Sequence, residues 1–123
     1  LEGRRFPWGD IPDTTAAVVA RPTARGPAAV ASHPRGNTPL GVSDMLGNVW
    51  EWTASRYLPY PGGSEPRDRE NLYVIRGGSY TYPIRYTTTY VRGGVEGSPA
   101  DRADIAQTGF RCAAPLPEPP RGR

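Results

Sequence analysis

The chain reads as one loop-rich domain folded around a small aromatic core, and three observations carry that reading. Its 123 residues include 15 Gly and 15 Pro, together about a quarter of the chain, which is enough turn-forming residue to break any long regular element. Three Trp, seven Tyr and two Phe stand against disorder, because disordered chains are poor in aromatics. No stretch keeps a helical apolar period over two turns, whereas several short runs alternate as strands do.

Taken in order, residues 1–13 hold Phe6 and Trp8 between Pro7, Gly9 and Pro12, a packed irregular segment. Residues 14–39 are rich in Ala, Pro, Arg and Gly with no apolar period, and read as a long meandering loop. Residues 42–53 form a compact turn leading into a strand around Val49–Thr53. Residues 56–72 are a polar, turn-rich excursion. Tyr73–Arg76 is a short strand entering Gly77-Gly78-Ser79. Tyr86–Arg92 alternates β-branched and aromatic residues and is the best strand pattern in the chain. Residues 93–107 read as a second polar loop, Gly109–Ala113 as a closing strand, and 115–123 as a Pro-rich tail.

The net charge is +3, and every basic residue is Arg. The arginines are scattered, so no nucleic-acid footprint is expected. No apolar run approaches the ~20 residues of a membrane span. A single cysteine, Cys112, excludes an intrachain disulfide and a CxxC zinc site. Within a strand it is expected to be a buried, inert thiol. The one histidine, His33, has no second histidine to pair with and is expected to be solvated in its loop.

The segment Gly41–Trp52 concentrates the chemistry. Asp44, Asn48 and Glu51 lie among Val42, Met45, Leu46, Val49, Trp50 and Trp52. Polar atoms buried beside indoles need partners, since an unpaired one costs on the order of a few kcal/mol. Carboxylates interleaved with backbone carbonyls are also what a hard cation such as calcium binds. The segment is therefore either a metal-clamped core or a hydrogen-bonded core turn.

Five motifs in register, FPWGD, GVSDMLGNVWEWT, VIRGGSY, an Arg-containing strand and GFRCA, resemble the formylglycine-generating-enzyme-like (sulfatase-modifying factor) family. The resemblance runs from Leu1 to about Ala114 and implies an α+β, loop-rich domain: a C-type lectin-like fold of the formylglycine-generating-enzyme type, with small antiparallel sheets. It also implies that residues 1–114 are the C-terminal part of such a domain. The expected partner is then the missing N-terminal half, supplied covalently or by another chain.

Carried over residue by residue, the resemblance implies a calcium site made by the carboxylates of Asp44 and Glu51 and the carbonyls of Gly47 and Val49. A second family site uses an asparagine upstream, and residues 14–26 offer none. The family's best-known enzyme binds copper through two cysteines on the strand after RGGS. Here Thr88 and Gly93, or near neighbours, fall at those places, and neither can ligate Cu(I), which prefers sulfur. No copper and no formylglycine-type oxidation are therefore expected. The related iron-dependent sulfoxide synthases take their histidines from a separate N-terminal domain.

Binding remains. Tyr80, Tyr82, Tyr86, Thr88, Tyr90, Arg92 and Arg102 form a candidate ligand surface, because outward tyrosines are large, stiff and amphipathic; Tyr and Thr are equally good strand formers. One subset of the family consists of variable ligand-binding proteins that vary between RGGS and GFR, and the composition here fits it. Arg76, Arg92, Arg102 and Arg111 match family arginine positions expected to pair within the scaffold. The expected function is non-catalytic recognition of a ligand, peptide or protein. The alternative is the C-terminal part of an oxidoreductase whose catalytic ligands lie outside this chain.

Overall fold

A computed structural model of the chain describes residues 3–22, 25–63, 71–96 and 105–114. Four strands make one small sheet: β1 (Trp50–Arg56), β2 (Leu72–Arg76), β3 (Gly93–Glu96) and β4 (Thr108–Gly109), in the order β3-β2-β1-β4. The β1–β2 and β2–β3 pairs are antiparallel, as the family resemblance implies, while β4 adds in parallel to β1 through Trp50 and Glu51. Helical structure among the described residues is confined to single 3-10 turns at Pro34–Gly36, Ile84–Tyr86 and Ile105–Gln107.

The sheet is short because side chains interrupt its ladder. The β1–β2 register shifts between Trp52 and Arg56, where the Thr53 hydroxyl donates to the Val74 carbonyl at 2.9 Å. Beneath it sits the core of Trp50, Ile75 and Val95, with Trp52 and Val91 packed against it. Phe6 and Trp8 stack in parallel with ring centroids 5.2 Å apart, on a turn closed by mutual backbone bonds between Phe6 and Gly9. That is the packed aromatic segment the sequence implies.

Several expectations are corrected. Tyr86–Arg92 is not a strand. A 3-10 turn ends at Tyr86, and Thr87–Val91 run on as turn and irregular backbone with no ladder partner among the described residues. The Arg76 guanidinium donates to the carbonyls of Thr89, Tyr90 and Val91, so a side chain takes the acceptors a neighbouring strand would use. The strand begins later, at Gly93. The closing strand shrinks to Thr108–Gly109, and Cys112 beyond it is exposed, not buried. His33 is half-buried and lies between the Ser32 hydroxyl at 2.9 Å and the Arg21 guanidinium at 3.5 Å. The tail from 115 lies outside the described residues.

The stretch Ala16–Val19, inside what reads as loop, is core: all four residues are buried, Val19 completely. An irregular strip enclosed on several sides buries consecutive residues and leaves no period to detect.

Candidate ligand cleft and metal turn

The Gly41–Trp52 segment turns back on itself through four left-handed residues, Gly41, Asp44, Gly47 and Asn48. Gly47 is required there. A Cβ at this position would lie 2.4 Å from the Val18 carbonyl oxygen. Asn48 is the hub. Its N–H donates to Val18 O at 2.7 Å, and its carbonyl accepts from Tyr80 N at 2.9 Å. Its side-chain amide pairs both ways with the backbone of Ala28. One buried asparagine thus ties three separate segments together, and the turn is hydrogen-bonded as one of the two sequence readings proposed.

The four residues of the implied calcium site lie around this turn. Asp44 Oδ2 accepts from Ala31 N at 2.6 Å. Both oxygens of Glu51 are held by Arg111, one at 2.6 Å from Nε and the other in a short contact with Nη2. The same guanidinium donates to the carbonyls of Ser43 at 2.9 Å and Asp44 at 3.0 Å. Its pKa is raised, first by the hydrogen bond to Glu51, then by the charges of Glu51 and Asp44, against an opposing effect of burial. Both carboxylates therefore act on one cation. Carboxylates and carbonyls are hard oxygen donors suited to calcium, and each carboxylate oxygen keeps a lone pair beyond the one it gives a protein N–H. The donor chemistry fits the ion. Two acids do not make a larger cluster: among the described residues no group of three or more His, Cys, Asp or Glu gathers.

On the other side of Trp50 a cleft of about 350 Å³ opens, lined by Trp50, Tyr82, Arg85, Tyr86, Thr88, Tyr90, Val91, Arg92 and Gly93. Five of the seven candidate ligand residues meet here: Tyr82, Tyr86, Thr88, Tyr90 and Arg92. Tyr80 is half-buried and lies outside the lining. Arg102 lies outside the described residues. Tyr82 stands edge-on to Trp50, with centroids 5.2 Å apart. Arg92 lies over the rings of Tyr57 and Tyr60, at 4.5 and 3.9 Å, and donates to Leu58 O. The sequence reading missed Arg85. Its guanidinium covers the Tyr86 ring at 4.6 Å, and its hydrogen bond and charge lower the Tyr86 pKa. Thr88 Oγ1 is buried and without a hydrogen-bond partner, a state that costs about 1–3 kcal/mol unless something fills it.

The chain matches the sequence pattern of the sulfatase-modifying factor enzyme 1-like domain over residues 1–116. It belongs to this family, whose formylglycine-generating-enzyme type of C-type lectin-like fold the sheet and loops reproduce. It is 46% identical to the hercynine oxygenase of Mycolicibacterium smegmatis over 89 residues, which cover 63% of this chain and 21% of that protein. It is 32% identical to the mouse inactive C-alpha-formylglycine-generating enzyme 2 over 137 residues, covering 97% of this chain and 39% of that one. The structure of PvdO from Pseudomonas aeruginosa superposes with a TM-score of 0.60 at 25% identity, over 89% of this chain and 41% of that one. The chain therefore spans between about a fifth and two fifths of the curated relatives it matches.

Proposed function

We propose that this chain acts in non-catalytic recognition, binding a ligand or peptide in the cleft beside Trp50, on a scaffold steadied by one calcium ion. The observation that carries the reading is the convergence of Tyr82, Tyr86, Thr88, Tyr90 and Arg92 on one cleft. Rigid aromatic rings and a positive charge around a concavity of this size suit small-ligand or peptide capture. The chain's one thiol is Cys112, which is not among the cleft's lining residues, so the cleft holds no sulfur donor for copper. The likeness to an inactive formylglycine-generating enzyme over nearly the whole chain supports the same reading.

Asp44 and Glu51 would hold calcium with their carboxylates, and Gly47 and Val49 with their carbonyls. Bound there, the ion would screen the two acids and stiffen the turn that carries Trp50.

The higher identity to a hercynine oxygenase supports a second reading. In it the cleft is the substrate-facing part of an oxidoreductase whose redox ligands come from another segment. The two readings separate by experiment. Peptides selected from a random display library on the full-length protein should be lost by Tyr82→Ala and Tyr86→Ala. If the full-length protein instead consumes oxygen with iron and a thiol substrate, the non-catalytic reading is wrong.

A further inference from the structure

Among the described residues the cleft's lining includes Arg85 and Arg92 and no Asp or Glu, and the rest of that wall is mainly aromatic or aliphatic. The two arginines differ. Arg92 is spread over two tyrosine rings and bound to a backbone carbonyl. Arg85 is exposed and lies over the ring of Tyr86 at 4.6 Å. A phenol is neutral, so it leaves the guanidinium charge uncompensated. A guanidinium presents five N–H donors in a fork that matches a carboxylate. The second observation lies in the same wall: Thr88 Oγ1, on a residue 2% exposed, has no partner. A hydroxyl both donates and accepts, so a ligand oxygen or a water it orders completes it.

From this geometry we infer that the cleft takes an organic carboxylate carried on an aromatic body, the acid on Arg85 and the ring against Trp50 and Tyr82. This rests on the recognition reading above and names its ligand class. The edge-on pair of Trp50 and Tyr82 gives a third ring an apolar corner, while Arg85 supplies the charge. The volume of about 350 Å³ lies at the small end of ligand pockets and suits one ring and one acid. A free aromatic acid and the C-terminal aromatic residue of a peptide share this chemistry.

Calorimetric titration of the full-length protein tests the assignment with 3-phenylpropionate, its amide, phenethylamine, and a pentapeptide ending in Phe with a free or amidated C-terminus. The acid is expected to bind at least tenfold more tightly than the amide, with phenethylamine weakest. Arg85→Gln should remove that preference and leave the amide's affinity unchanged, and its exposed position spares the fold. Thr88→Val, close in volume, should weaken acid binding a fewfold. Stronger binding of the free-ended peptide than of phenylpropionate assigns the site to peptide ends, and the reverse to free acids; either supports the inference. Equal binding of acid and amide, or acid binding untouched in Arg85→Gln, overturns it. If the neutral amide still binds and loses affinity with Tyr82→Ala, only the carboxylate inference falls. If no probe binds and peptides selected on the protein ignore Tyr82→Ala, the recognition reading falls with it.

Discussion

Arg111 holds both carboxylate oxygens of Glu51 across 60 residues of sequence. Its remaining donors close on the carbonyls of Ser43 and Asp44. One side chain therefore fastens the end of β4 to the turn that precedes β1. A planar fork does this well, because two parallel N–H bonds match a carboxylate while the other edge serves carbonyls.

Replacing Arg111 with Lys keeps the charge and loses the fork. We expect a loss of about 1–2 kcal/mol, at the low end for charge-assisted bonds because the pair is partly exposed to solvent screening. Urea denaturation of Arg111→Lys, Glu51→Gln and the double variant measures the coupling. Additive effects of the two changes would show that the pair is not a unit.

Gly47 and Gly41 make a matched test. Both have left-handed backbone, with φ of +77° and +78°. A Cβ on Gly47 meets the Val18 carbonyl at 2.4 Å, while one on Gly41 meets nothing within 4 Å. Gly41→Ala should cost about 1–2 kcal/mol, the backbone penalty alone. Gly47→Ala should cost about 3 kcal/mol or more, since the turn must also move off Val18. Equal melting temperatures for the two variants would contradict the packing described.

Trp50 and Tyr86 should separate stability from binding. Trp50 is 6% exposed and packs on Ile75 and Val95, so Trp50→Ala should lower stability by about 3–5 kcal/mol. Tyr86 is 56% exposed. Tyr86→Ala should leave the melting temperature nearly unchanged and weaken ligand binding by about 1–3 kcal/mol. Loss of fold with Tyr86→Ala would make that residue scaffold.

The Tyr86 phenol should ionise below the ordinary tyrosine range while Arg85 bonds and faces it. Ionisation creates negative charge, which a nearby guanidinium favours. Arg85→Gln should raise the midpoint back toward the ordinary value. Ultraviolet difference titration against a Tyr86→Phe reference reads it directly, and an unmoved midpoint refutes the contact.

Calcium should raise the melting temperature of the wild type and not that of Glu51→Gln. Terbium, a luminescent substitute, should light up under indole excitation because Trp50 and Trp52 flank Glu51. Chelation that leaves the melting curve unchanged would remove the ion from the account.

The elements that pack by simple rules were legible in the residues. The strands read around Val49–Thr53 and at Tyr73–Arg76 do pair as β1 and β2. Tyrosines and threonines crowd one stretch of the sequence, and the structure brings Tyr82, Tyr86, Thr88, Tyr90 and Arg92 of the candidate surface to one cleft. What could not be read was decided by groups far away in sequence. Arg76 takes three successive carbonyls, of Thr89, Tyr90 and Val91, in the stretch whose residue pattern reads as a strand. Ala16–Val19 is core where the Asn48 N–H donates to the Val18 carbonyl and the Ala20 N–H donates to the Tyr82 carbonyl, pairings no local pattern announces. Arg85 escaped notice because an isolated arginine has no pattern until a ring lies under it.

The Thr89 hydroxyl and N–H donate to the carbonyls of Arg4 and Arg5 at 2.6 and 3.0 Å, closing a loop of 85 residues. Contacts this distant gather late, because the entropy of closing the loop comes before any contact repays it. The cleft wall beside Thr88 is thus finished only after the opening residues have come back across the molecule. We expect a wall held by such distant contacts to open more readily than the sheet. Local exchange of the Thr89 amide should therefore outpace that of β2, the sheet holding while the wall beside Thr88 opens.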